Sequence, residues 1–159
     1  MTRFVESHDS YLAAFELLQK EEAVPSEVAA LRSRAYARFS ELGFPTTKLE
    51  PWRFTDIAPI SRTDFSLAEP TEVDPSALAH YELHDVDAAQ VVIVNGRFDP
   101  KLSRCQGLPY GVEVRSLAEA VSDSSAAVSE LGRLADFQEH AFTALNTALS
   151  NDGVVVRVP

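Results

Sequence analysis

His80 and His84 stand four residues apart, a spacing that on a helix would present two imidazoles to one metal ion. A metal site needs more than two ligands. Asp85 and Asp87 are the only adjacent carboxylates of suitable placement, no cysteine lies nearby, and Pro75 with the Tyr81/Leu83 alternation works against a stable helix. No metal site is expected there. Cys105 follows Lys101 and Arg104, whose positive charge favours a thiolate. A nucleophile also needs a base and an oxyanion site, and the sequence assigns neither, so the expectation is a passive, partly buried thiol. A small thiol enzyme is the rival reading, and it requires a base beside Cys105. The carboxylate pairs Glu21/Glu22 and Asp85/Asp87 lie in polar surroundings that would not push two pKa values apart. The chain contains no Gly-x-Gly-x-x-Gly, no P-loop and no Gly-x-Ser-x-Gly. His8 and His140 are isolated and suit the surface or helix caps. Catalytic, cofactor-binding and metal-ligating residues are therefore all expected to be absent.

The elements that carry these residues read as α+β. Tyr11, Leu12, Phe15 and Leu18 follow 3 and 4 spacing and mark a short first helix. Val28, Leu31, Ala35, Phe39 and Leu42 mark a second, with Ser26 placed to cap it, Gly43 to take a left-handed C′ position and Pro45 to stop it. Arg32, Arg34 and Arg38 fall off that stripe and read as a solvated face. Residues 61–87, with Pro70 and Pro75, read as a connector. Val91 to Val94 predicts a strand, Asn95-Gly96 a tight turn with two positive φ angles, and Val112 and Val114 a further strand. Ser116 and Glu119 form a capping-box pattern opening a helix through Val121. Helical spacing resumes at Val128, Leu131 and Leu134, then at Phe142, Leu145 and Leu149, with Asp136 and Glu139 as a second box. Val154 to Val158 predicts a last strand, one with no evident partner.

Composition narrows the function. Asp and Glu outnumber Lys and Arg by 24 to 14, for a formal charge of −10, and no basic stripe with interleaved aromatics occurs. Nucleic acid and anionic membranes are poor partners for such a surface. A single cysteine allows no internal disulfide and suits a reducing compartment. Arg3 to His8 form no apolar leader, and no run approaches the roughly 20 apolar residues of a spanning helix. A soluble, cytoplasmic protein is expected.

Gly43 to Asp56 is the most distinctive run. Pro45 and Pro51 oppose a helix, so an extended arm is expected. Phe44, Trp52 and Phe54 carry large apolar area, and leaving them in water would forfeit about 2 kcal/mol or more per ring. The arm is expected to lie against the helices with Trp52 as its anchor, or to present Trp52 to a partner.

Gly43, Phe44, Pro45, Thr46, Thr47, Glu50, Trp52, Arg53, Phe54, Thr55 and Asp56 together resemble a signature of the SufD family of SUF iron-sulfur cluster assembly scaffold subunits, with a weaker echo of SufB. Three later segments resemble the same family in the same order: Val92 to Pro100 around Asn95-Gly96, Leu108 to Ala120, and Ala141 to Pro159 with Asn146 and Gly153. Pro51 and Phe54 are mild departures, at a position the family fills variably and one where Tyr is frequent.

The resemblance implies an N-terminal helical region with its arm (1–60), a connector (61–90), a mixed βα segment (91–153) and, at 154–159, the first strand of a right-handed parallel β-helix that continues beyond this sequence. It also implies a non-catalytic part in a SufB-SufC-SufD complex, with SufB and SufC as partners through contacts mainly outside this segment. The iron-sulfur cluster and the ATP used by SufC would belong to that complex, not to this chain. A free-standing acidic helical interaction module is the alternative, and the orphan terminal strand argues against it.

Overall fold

The computed structural model describes residues 8–20, 24–81, 88–123 and 125–159. Residues up to Ser7, Glu21, Glu22, Leu83, His84, Asp85 and Asp87 lie outside these, and so do the expectations placed on them. The chain divides into two compact units, one of Met1–Leu67 with Val128–Ser150 and the other of Ala68–Ala127 with Asn151–Pro159.

In the first unit, helix α1 (His8–Gln19) buries Tyr11, Ala14 and Leu18 at 3 and 4 spacing. Helix α2 (Ser26–Leu42) starts one residue earlier than Ser26 capping requires. Pro25 is the N-cap, its carbonyl accepting from the N–H groups of Val28 and Ala29 at 3.0 Å each, while Ser26 Oγ donates to Glu27 Oε2 at 3.1 Å. Proline suits that place because it has no N–H to leave unsatisfied. At the far end Gly43 has φ 64° and ψ −177°, and its N–H donates to the Phe39 carbonyl at 2.8 Å. The positive φ is as expected, but ψ lies outside the left-handed helical well, in a region open essentially to glycine alone.

The buried face of α2 is Val28, Leu31, Arg32, Ala35 and Phe39. Arg32 thus corrects the expectation of a solvated arginine face: it is only 3% exposed, and its Nη1 lies 3.5 Å from the Leu18 carbonyl of α1. Its position, four after Val28 and three before Ala35, places it on the apolar stripe whatever its charge. Arg34 is exposed, and Arg38 is half-buried and paired with Glu41 at 2.8 Å.

Short helix α3 (Ala58–Ser61) follows, its first N–H received by Asp56 Oδ1 at 2.9 Å. Helices α4 (Leu117–Asp123) and α5 (Ser125–Glu130) come later in the chain. Gly132, at φ 72°, ends the helical course after α5, so the Val128-Leu131-Leu134 spacing does not continue and Leu134 is 95% exposed. The Asp136/Glu139 box is also replaced. Asp136 Oδ1 accepts from the Gln138 N–H at 2.7 Å, and His140 is the N-cap of α6 (Ala141–Ala148), with no side-chain cap bond. Helix α6 packs on α2, where Leu31, Ala35, Phe39, Phe137, Ala144 and Ala148 form one buried cluster. Ala35, Ala144 and Ala148 have no exposure at all, and their small side chains let the two backbones approach closely.

In the second unit the connector carries a 3₁₀ helix over Pro75–Tyr81, with Asp74 Oδ1 accepting the Ser76 N–H at 2.8 Å. Strands β1 (Ile93–Val94) and β2 (Arg97–Phe98) form the expected hairpin, shorter than Val91 to Val94, with Asn95 at φ 50° and Gly96 at φ 80°. Positive φ at both central residues is the geometry a two-residue hairpin requires. Strand β3 (Glu113–Ser116) runs into α4.

Strand β4 (Val154–Arg157) corrects the expectation of an orphan strand. It pairs antiparallel with β3, Ser116 opposite Val154 and Glu113 opposite Arg157. The Leu117 N–H donates to the Gly153 carbonyl at 3.0 Å. Because bonded pairs alternate along an antiparallel ladder, this sets Arg115/Val155 and Glu113/Arg157 as the bonded pairs. The backbone groups of Val154 and Val156 face away from β3.

Candidate functional site

The residues of the family-like segments gather in two places, one in each unit. In the first, residues 44–56 follow a chain of tight turns instead of an extended arm: Leu49 N–H to Thr46 carbonyl, Trp52 to Leu49, Arg53 to Glu50 and Thr55 to Trp52, at 2.9 to 3.2 Å. Pro51 sits in the first turn of a 3₁₀ helix, Glu50–Trp52, where a missing N–H breaks nothing. Thr46 tightens the entry, its Oγ1 accepting from the Lys48 N–H at 3.4 Å.

Pro45 is buried and Phe44 half-buried within an aromatic cluster, 5.2 Å from Phe39, 5.6 Å from Tyr11 and 5.8 Å from Phe142 between ring centroids. Trp52 is half-buried and rests 5.4 Å from Phe142 on α6, which supports the anchor reading of this ring. Phe54 behaves otherwise: it is 93% exposed, with the Arg53 guanidinium 5.4 Å above its ring. Arg53 also lies 3.9 Å from Glu50, and Thr55 is exposed. Burial raises the Tyr11 phenol above its ordinary pKa, and the Asp64 carboxylate adds to this.

The second place centres on Asp152. Its Oδ2 accepts from the Phe98 N–H at 2.9 Å, while Oδ1 accepts from the Ser116 hydroxyl at 2.8 Å and the Ala118 N–H at 3.0 Å. One carboxylate thereby ties together the three later family-like segments. Burial alone would push this carboxyl up, but the N–H groups of Ala118, Gly153 and Phe98 and the Ser116 hydroxyl hold it below the usual carboxylate range. Ser116 also serves as the expected cap of α4, accepting from the Glu119 N–H at 3.3 Å. Asn95 turns its Nδ2 to the Glu69 carbonyl at 3.1 Å and Thr71 Oγ1 at 3.2 Å. Gly153 contributes its carbonyl to the ladder, and Asn146 is exposed on α6. The signal that marks Asp152 is its place between a helix end and a β-branched strand, where a short carboxylate reaches neighbouring backbone N–H groups.

Cys105 is half-buried, its Sγ 3.8 Å from the Gln90 carbonyl, and no base contacts it among the described groups. His80 sits on the 3₁₀ helix of the second unit. Among the described residues no three His, Cys, Asp or Glu side chains stand close enough to hold a metal, and no helix is long and apolar enough to cross a membrane. Most of the motif residues described above take part in turns, caps or packing.

Comparison with known proteins covers the stretch that holds all four segments. The family model for the SufBD protein N-terminal region matches residues 5–159. An iron-sulfur cluster assembly SufBD family protein of Synechocystis sp. is 30% identical over 129 residues, which make up 80% of this chain and 28% of that protein. The chain thus spans little more than a quarter of the length of this curated relative. With the match running through both units and over nearly every residue, the chain belongs to the SufBD N-terminal region family.

Proposed function

We propose that this chain is the N-terminal region of a SufD-type scaffold subunit that works in iron-sulfur cluster assembly in the cytoplasm, as part of a SufB-SufC-SufD complex and without catalysis of its own. The observation that carries this is the family match over residues 5–159. Within the pair of related subunits, the Gly43 to Asp56 signature favours the SufD type. The cluster and the ATP belong to the complex, and the chain's own role is to shape and present surface. Phe54 suits that role, since a ring left this exposed beside an arginine is a contact-ready group.

The pairing of β4 with β3 gives the free-standing module some support, because the terminal strand no longer lacks a partner. Co-purification separates the two readings. The full-length subunit carrying this region should be retained with SufB and SufC, and the set should load iron-sulfur clusters onto an apo-ferredoxin. A subunit that binds neither partner and leaves cluster loading unchanged would favour the free-standing module.

A further inference from the structure

Of the three asparagines in the chain, only Asn95 precedes a glycine. Without a side chain, Gly96 leaves its backbone nitrogen open to attack the Asn95 amide carbon, Cγ, whenever the segment moves freely. Both residues are exposed at the tip of the β1-β2 hairpin, so water reaches them. Closing the ring needs the Gly96 nitrogen and the Asn95 Cβ on the same side of the Asn95 Cα–C bond. The turn opposes this. Its φ angles of 50° at Asn95 and 80° at Gly96 are those of a type I′ turn. The first central residue of such a turn has ψ of about 30°, which puts the following nitrogen and Cβ on opposite sides. The side chain is also turned aside, its Nδ2 donating to the Glu69 carbonyl at 3.1 Å and to Thr71 Oγ1 at 3.2 Å. Thr71 Oγ1 donates in turn to the same Glu69 carbonyl at 3.2 Å. Three bonds hold the hairpin below its tip: the Asp99 N–H on the Val92 carbonyl at 3.0 Å, the Phe98 N–H on Asp152, and Arg97 Nη2 on the Asn151 side-chain carbonyl at 2.6 Å.

We propose that Asn95 is a latent deamidation site, withheld by the closed hairpin and released when the hairpin opens. On opening, the Gly96 nitrogen gives its proton to a solvent base and bonds to Cγ. The Cγ–Nδ2 bond breaks, and the amide group takes up a proton and leaves as ammonia. Water then adds across one C–N bond of the cyclic imide, giving aspartate or isoaspartate. No electrons are exchanged. Neither product rebuilds the contact with residues 69 and 71, because an ionised carboxylate has no proton to donate to the Glu69 carbonyl. Isoaspartate also lengthens the backbone by a methylene, which the two-residue turn cannot absorb. The reaction is therefore a one-way covalent mark of hairpin opening.

Peptide mass spectrometry of the full-length subunit carrying this region tests the proposal. The subunit is aged in mildly alkaline buffer with and without urea, and the amide-to-acid mass gain is followed at Asn95. Conversion should run about tenfold or more faster in urea, since an isolated hairpin is marginal and its closure here depends on the bonds around it. Equal rates in both samples would show that the closed turn withholds nothing, and absence of conversion in urea would remove the site altogether. Hydrogen exchange on the aged protein, returned to buffer without urea, tests the permanence of the mark. The Asp99 amide should stay protected in molecules that keep Asn95 and exchange freely in those that carry isoaspartate. Equal protection in the two populations would overturn the one-way mark. Should the urea-treated subunit fail to refold, the converted fraction of the sample aged without urea supplies the same comparison.

Discussion

Asp152 and Trp52 show how differently two residues in family-like segments support this fold. Replacing Asp152 by Ala removes the acceptor for two backbone N–H groups and a hydroxyl, and should destabilise the second unit by about 2 kcal/mol or more, read from urea unfolding. Its folded pKa lies below the unfolded value of about 3.9. The stabilisation is therefore complete above that value and disappears as pH falls through the lower folded pKa. The difference in urea midpoint between the wild type and Asp152→Asn should hold near pH 7 and shrink as the pH drops below about 4. Trp52→Ala should cost about 1–2 kcal/mol, less than a core aromatic, because the ring is half-buried and leans on Phe142 from one side. At this scale the sequence was partly legible. Asn95-Gly96 and Ser116 declared their conformations through local chemistry, which needs no knowledge of distant partners. Arg32 misled because charge was weighed above spacing, and Asp152 was missed because its donors lie 34 to 54 residues away.

Among the elements, α2 and α6 bear the greatest load. Phe39 has no exposure and meets both Tyr11 and Phe44, so Phe39→Ala should cost about 3–5 kcal/mol and lower the cooperativity of thermal unfolding in the first unit. Strand β4 allows a sharper check. Alternation along the ladder predicts slow exchange at Val155 and Arg157 and fast exchange at Val154 and Val156. Uniform protection across all four would mean a third strand pairs on the open edge. Helix periodicity located α1, α2 and α6 without help from tertiary structure. The partner of β4 was not legible, since β3 lies about 40 residues upstream and β-branching alone says only that a strand seeks some edge. The turns of residues 44–56 were hidden for another reason: proline opposes a helix interior, yet fits the first turn of a short 3₁₀ helix.

For the whole molecule, the scaffold reading predicts that the purified chain neither hydrolyses ATP nor retains an iron-sulfur cluster after anaerobic reconstitution, as clusters are commonly held by four thiolates and this chain has one. Absorbance and iron counting give the answer, and stoichiometric cluster abolished by Cys105→Ser would overturn the reading. The packing of α2 on α6 also has a bearing on how the protein is made. Arg38 of α2 meets the Gln138 carbonyl across 100 residues of sequence, so the first unit is completed by a contact distant along the chain. During synthesis the Leu31-Ala35-Phe39 stripe leaves the ribosome well before Ala144 and Ala148 exist to cover it. Until then an apolar seam stays open on the nascent chain, closing it slowly is expected from so distant a contact, and this interval is when a chaperone has most to hold.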